Sequence, residues 1–255
     1  MSAVTEFRSQ SLTDAAFERV DLSGSTWREV DLSGSRWRGV ELADVRMRDV
    51  HMDGVSIEGD VEGLVVNGVD VHALVEAELD RRHPERVGLR ALDVETLRAA
   101  WAGIEAMWAP TMAAALARPE AELRVRVEDE WSFLETLRHL VFATESWLGA
   151  GVLGATSFDP IGLAGDWLPA SACGLDPAAD PSVAAVLVAR ERSVVLVRDF
   201  LAGATQADLD ASSTPDPSVG WPPADARSTL HRVHVILNEE WWHHRYVVRD
   251  LAQLP

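Results

Sequence analysis

The chain of 255 residues is 47% hydrophobic, so it has enough apolar side chains to bury a core in one large domain or two smaller ones. Its 23 Lys and Arg residues are outnumbered by 41 Asp and Glu residues, and the net charge of −18 argues against binding to nucleic acid or to anionic membranes. Cys173 is the single cysteine, which excludes an intrachain disulfide and a metal site made of several thiolates.

The sequence also lacks the signals of membrane insertion and export. Its longest apolar run, around residues 183–189, is far shorter than the roughly 20 residues that cross a bilayer. The N-terminal residues do not show a basic segment followed by an apolar one. We therefore expect no contact with a membrane and a cytoplasmic location.

The first seventy residues contain a repeat of five. An apolar side chain recurs at every fifth position, a period that neither an α-helix nor a flat strand has. The stretches Val20-Asp21-Leu22-Ser23-Gly24 and Val30-Asp31-Leu32-Ser33-Gly34 are typical of the repeat and resemble the pentapeptide-repeat family. The apolar positions are Phe17, Leu22, Trp27, Leu32, Trp37, Leu42, Met47, Met52 and Ile57.

This resemblance implies a right-handed quadrilateral β-helix over residues 1–72. With four pentapeptides in a coil, about three coils form, and Phe17, Trp37 and Ile57 stack in its interior. Such a module would serve as a platform for a homodimer or a protein partner. A weaker alternative is mimicry of DNA towards topoisomerases, but residues 17–72 hold only twelve acidic residues beside six basic ones.

The rest of the chain has helical signals. Residues 73–90 are predicted to form a helical linker whose helix, residues 75–83, ends before Pro84, and residues 91–255 an up-down four-helix bundle. Asp93 is a predicted N-cap, Ser132 and Glu135 form a capping box, and Asp180 precedes a proline that favours a helix start. The predicted bundle helices cover about residues 93–118, 132–148, 180–200 and 228–251.

Two long connections, residues 149–180 and 212–223, separate these helices. Long segments without regular structure inside a compact domain are commonly lids or pocket walls. The first carries Trp167, which we expect to line a pocket together with Trp241 of the last helix.

The last helix carries a tandem of carboxylates and imidazoles. Residues four apart lie on one helix face, so a Glu and a His at this spacing can bind one divalent ion. The apolar stripe through Trp241 favours Glu240 and His244 over the alternative register of Glu239 and His243. His139, in the middle of the second predicted helix, is the best candidate for a third ligand.

Segments around these residues resemble the DinB superfamily of metal-binding four-helix bundles. They are residues 129–140 and 238–251, and the resemblance extends over about residues 89–251. The superfamily includes mycothiol-dependent maleylpyruvate isomerases and thiol S-transferases, and its members place one His on the second helix and a His-x-x-x-His pair on the last. A Glu replaces the first His of that pair here, as in the isomerase branch.

The resemblance implies a metal-dependent transferase or isomerase that acts on a small electrophilic molecule. Two imidazoles and a carboxylate suit Zn²⁺ and leave a coordination position free, so a metal-bound water or low-molecular-weight thiol, not a side chain, would do the chemistry. The alternative is a non-catalytic metal-binding protein whose repeat module binds a partner.

Overall fold

The computed structural model describes residues 6–165, 168–176 and 178–254. The chain divides into two compact units, Met1–Gly59 and Asp60–Pro255. None of the helices in the described ranges combines the length and the apolarity needed to span a bilayer.

The described residues of the first unit form repeated turns and not the predicted β-helix. Within residues 6–59 no strand is present, and the hydrogen bonds between backbone groups, such as Ser25 N to Leu22 O, span three residues only. Side chains predicted to stack inside are exposed, Phe17 by 55% and Ile57 by 62%. A β-helix needs hydrogen bonds between successive coils and a buried interior column, so the predicted quadrilateral β-helix is wrong.

Local chemistry explains the repeated turns. The Asp21 carboxylate accepts a hydrogen bond from the amide of Ser23 at 2.9 Å, and Asp31 and Ser33 repeat this turn at 2.9 Å. Asx turns of this kind satisfy backbone groups within a few residues. The five-residue period of the sequence therefore corresponds to a repeated turn, which forms without the packing between coils that a β-helix needs.

The second unit begins with a small hairpin, also missed by the repeat assignment. Strands β1 (Val65–Val66) and β2 (Val69–Asp70) pair antiparallel, with Val66 opposite Val69. Asn67 and Gly68 between them have φ of 50° and 82°, as a two-residue hairpin turn requires. Helix α1 (His72–Arg82) and a 3-10 segment (Pro84–Arg90) follow.

Four long helices make up most of the second unit: α2 (Val94–Leu116), α3 (Phe133–Thr144), α4 (Val183–Gly203) and α6 (Thr229–Leu251). Helix α3 continues as a π-helix over Glu145–Ala150, and the short helix α5 (Gln206–Asp210) precedes the last strand pair. Strands β3 (Ser212–Ser213) and β4 (Arg227–Ser228) pair antiparallel and lead directly into α6. Helix α3 packs against both α4 and α6, and α2 packs against the same two helices.

Side-chain caps set the start of each long helix. Asp93 caps α2, Ser132 forms a capping box with Glu135 at α3, and Ser182 and Ser228 cap α4 and α6. Each cap satisfies an amide that would otherwise lack a partner in the first turn. The apolar faces that follow these caps meet in one core, which includes Trp101, Leu137, Val186, Leu237 and Trp241.

The connection between α3 and α4 folds back over α3 and forms a second, smaller apolar cluster. Its buried members are Phe142, Ala164, Cys173 and Leu175, against which Phe158, Leu168 and Trp221 pack. The two long connections touch here, since a Cβ added at Gly220 would lie 2.1 Å from the carbonyl oxygen of Ala172. This cluster positions the first connection beside the middle of α3.

Candidate metal centre

The centre lies where α3 packs against α6. Neighbouring residues of a helix point about 100° apart, so the tandem of Glu239, Glu240, His243 and His244 presents two Glu/His pairs on two different faces. Only one of these faces turns towards His139 of α3. The structure brings His139 together with Glu239 and His243, the alternative register of the sequence analysis.

Three donor atoms converge at this point. One carboxylate oxygen of Glu239, Oε2, lies 3.1 Å from Nε2 of His243 and 3.4 Å from Nε2 of His139. All three atoms lie within 4.8 Å of one another. His139 is buried, and Glu239 and His243 are partly exposed, so the group lies at the edge of the core.

The connection after α3 fixes the orientation of His139. Its Nδ1 donates a hydrogen bond of 3.0 Å to the carbonyl oxygen of Leu163, which turns Nε2 towards the ligand atoms of Glu239 and His243. The amide of Leu163 in turn donates to the carbonyl oxygen of Arg138 at 3.2 Å. A metal-binding imidazole commonly has such a partner on its second nitrogen. Leu163 lies in the connection over residues 149–180, which was expected to form a pocket wall, but nothing in the sequence distinguishes it from its neighbours there.

Charge also favours a cation here. Burial by itself raises the pKa of the Glu239 carboxyl, but hydrogen bonds and charge interactions with His139 and His243 outweigh burial and hold this pKa below its ordinary value. The carboxylate is therefore ionised throughout the neutral range. An anionic oxygen between two imidazole nitrogens is the donor set of many divalent metal sites.

Aromatic rings enclose the two imidazoles. The indole of Trp131 lies 4.5 Å from the ring centre of His139 and stacks on His243 at 5.8 Å with an interplanar angle of 20°. The Tyr246 ring meets His243 edge-on, with the ring centres 5.7 Å apart. Trp131 belongs to the segment that resembles the DinB superfamily, but no role was predicted for it from the sequence. Its position directly before the Ser132 cap was the available signal.

The favoured pair of the sequence analysis lies elsewhere in the structure. Glu240 is fully buried and forms an ion pair with Arg190 of α4. Nε2 of His244 shares a hydrogen bond of 2.8 Å with the hydroxyl of Thr111, and the His244 ring meets Trp108 edge-on at 4.9 Å. The apolar stripe ranked Glu240 as the more buried carboxylate, which it is, but a buried carboxylate on this face has an arginine as its partner.

Trp167 and Trp241 are the two predicted pocket tryptophans. Trp167 lies outside the described residues. Trp241 is buried in the core, where the guanidinium groups of Arg86 and Arg245 lie 5.0 and 5.1 Å from its ring centre. Its contacts join the 3-10 segment before α2 to the last helix.

A helical fold with two imidazoles and a carboxylate grouped between two of its helices defines a class of candidate metal-binding helical domains. The sequence model of the DinB superfamily matches residues 103–247, more than half of the chain, and the chain belongs to this superfamily. The matched range contains all three residues of the group, and members of the superfamily commonly bind metal. No curated protein and no solved structure matches the chain.

Proposed function

We propose that this DinB-superfamily protein binds one divalent metal ion through His139, Glu239 and His243, and uses it to activate a low-molecular-weight thiol. The thiol would then be transferred to, or assist the isomerisation of, a small electrophilic molecule. The observation that carries the proposal is the convergence of three donor atoms within 4.8 Å, with the hydrogen bond from Nδ1 to Leu163 directing Nε2 of His139 to the other two.

The donor set fits the proposed ion. Two imidazole nitrogens and one carboxylate oxygen are ligands that Zn²⁺ accepts, and three protein ligands in place of four leave a position for water or substrate. A closed structural site would need a fourth protein ligand. Within the described residues, the group of potential ligands consists of these three side chains.

A divalent ion bound here would lower the pKa of a thiol that shares it, so that the nucleophilic thiolate is present near neutral pH. The residues of the chain contribute position and charge: Glu239 supplies the anionic donor, and the Leu163 carbonyl holds the His139 ring in one orientation. The partial burial of the group limits the access of bulk water, which strengthens charge interactions. Cys173 does not fit the role of nucleophile, since it is buried and burial raises its pKa.

Metal content tests the first half of the proposal. Wild-type protein should take up one Zn²⁺ or Co²⁺ per chain after dialysis, whereas His139→Ala, Glu239→Gln and His243→Ala should each lose most of it. His244→Ala is the matched control, since it removes the neighbouring imidazole from a face that does not carry the group. Equal loss of metal in His243→Ala and His244→Ala, or full retention in the three ligand variants, would contradict the assigned site.

Thiol chemistry tests the second half. Co²⁺-loaded protein should develop a sulfur-to-metal charge-transfer band when titrated with small thiols, and zinc-loaded protein should speed their addition to an electrophilic acceptor such as a maleyl compound. Glu239→Gln should do neither. Protein that binds one metal ion but shows neither the band nor the rate increase with a panel of thiols would refute thiol activation and leave the metal site standing.

A further inference from the structure

The two imidazoles of the proposed metal site are oriented in different ways. His139 has a hydrogen bond from Nδ1 to the carbonyl oxygen of Leu163. His243, among the described residues, has Glu239 as its polar partner and no carbonyl or carboxylate on its second ring nitrogen. Aromatic rings also contact it, with Trp131 stacked on its face and Tyr246 against its edge. The orientation of His243 therefore depends on aromatic packing.

Trp131 is the ring that touches both imidazoles. Its centre lies 4.5 Å from that of His139 and 5.8 Å from that of His243, while the two imidazole centres are 4.8 Å apart. Offset or tilted stacking at such distances is attractive and directional. One indole thus spans the faces of both rings and restricts their rotation about χ2.

The segment that carries Trp131 is itself anchored. The Glu135 carboxylate accepts hydrogen bonds from Arg126 at 3.0 Å and from the amide of Ser132 at 2.9 Å, so it joins the two ends of the loop over residues 126–132. Between these ends, the amide of Glu130 donates to the carbonyl oxygen of Val127 at 2.9 Å. These bonds hold the loop to the first turn of α3 next to Trp131, so the backbone that carries the indole is fixed in position.

We propose that Trp131 is a positioning residue of the metal site, which holds the His243 and His139 rings so that their Nε2 atoms converge with Glu239 before the ion arrives. This role rests on the proposed function, since it concerns the same three ligands. It assigns to an aromatic side chain the task that a hydrogen bond performs for most metal-binding imidazoles. The loop over residues 126–132 then belongs to the site although none of its residues is a ligand.

Metal affinity and spectroscopy of purified full-length protein test the proposal. Trp131→Ala and Trp131→Leu should bind Zn²⁺ about tenfold or more weakly in a competition with a chromogenic chelator, in line with the loss seen when the supporting partner of a metal ligand is removed. Trp131→Phe keeps an aromatic face and should recover most of the affinity. The Co²⁺ absorption spectrum should shift in Trp131→Ala and Trp131→Leu and match wild type in Trp131→Phe.

Trp147→Ala is the matched control. Trp147 is a partly buried tryptophan of the same bundle that packs on Trp221 and His231, with ring centres 6.0 and 6.4 Å away, and touches none of the ligands. This variant should lose stability as any large-to-small change does, yet keep its metal affinity and Co²⁺ spectrum. A role of Trp131 in packing alone would make the two alanine variants alike in both readouts.

Arg126→Ala tests the role of the same loop without changing an aromatic ring. The side chain of Arg126 is 52% exposed, so Arg126→Ala should fold, and loss of its bond to Glu135 should loosen the loop and weaken Zn²⁺ binding several-fold. Unchanged affinity in Trp131→Leu and in Arg126→Ala, with wild type binding one ion, would overturn the role of Trp131 and leave the metal site intact. Wild-type protein that binds no divalent ion would overturn both.

Discussion

The buried ion pair between Glu240 and Arg190 leads to a large expected effect on stability. Glu240 and Arg190 have side chains only 1% and 7% exposed, so replacing Glu240 with Ala leaves a guanidinium in the core without its charge partner. Removing one member of a buried pair costs about 3–5 kcal/mol. A domain has a free energy of unfolding of about 5–15 kcal/mol, so Glu240→Ala should remove a substantial part of it.

Urea unfolding of the metal-free protein, followed by far-ultraviolet circular dichroism and extrapolated linearly to water, measures this loss. Glu191→Ala is the matched control, since it removes an identical side chain from an exposed position of α4 and should change the unfolding free energy by less than about 1 kcal/mol. The double variant Arg190→Met/Glu240→Leu should recover most of the loss, because apolar replacement of a buried pair is often neutral. A loss below about 1 kcal/mol in Glu240→Ala would refute the reasoning.

Three further outcomes follow from the structure. Ser132→Ala removes the N-cap of α3 and should lower the unfolding free energy by about 1 kcal/mol in the same assay, with no effect expected from Ser218→Ala at an exposed turn. Burial raises the pKa of the Glu145 carboxyl, so ionisation of this group opposes folding. The protein is therefore more stable at acid pH, where the carboxyl is protonated, and loses this stability as the pH rises through the raised pKa. Glu145→Gln should melt higher than wild type at pH 7 and equal to it near pH 4. A chain of residues 60–255 should fold and bind metal as the full chain does, since the first core residue among those described is Leu89, and loss of its cooperative melting would contradict this.

The starts of the bundle helices could be predicted because capping is local. Asp93 and Ser132 with Glu135 were identified from spacing alone, and the structure shows the expected side-chain hydrogen bonds at both places. The start of α4 was predicted from Asp180 and its following proline, yet Ser182 is the residue that caps it. A cap depends on a few neighbouring residues, so the error stays within two positions.

The fold of the N-terminal residues could not be obtained in the same way. A period of five is compatible with a β-helix and with a series of independent turns, and the difference lies in hydrogen bonds between residues about twenty apart. The turn that forms around Asp21 and Ser23 satisfies its backbone groups locally. The Asn67-Gly68 pair was a stronger local signal for a hairpin than the repeat was for another coil.

At the candidate site, too, local spacing in the sequence could be used for prediction, whereas a contact between distant residues could not. The four-residue spacing of the Glu and His residues on α6 limited the candidate ligand pairs to two registers. His139 was identified from its place on α3. The choice between the registers depended on which carboxylate is buried, and the sequence pattern ranked Glu240 correctly as the more buried of the two. Its partner, Arg190, lies 50 residues away, and neither periodicity nor capping reveals that contact.

The contact between His139 and the Leu163 carbonyl constrains evolution of the connection after α3 in a particular way. A main-chain oxygen is supplied by any residue, so this contact excludes only proline at position 163, whose amide donates to Arg138, while burial of the Leu163 side chain favours an apolar residue. The length of the segment before position 163 is constrained, because deleting one residue would bring a different carbonyl, or none, to the imidazole. Relatives should therefore agree in the length of residues 151–163 even where exposed side chains differ.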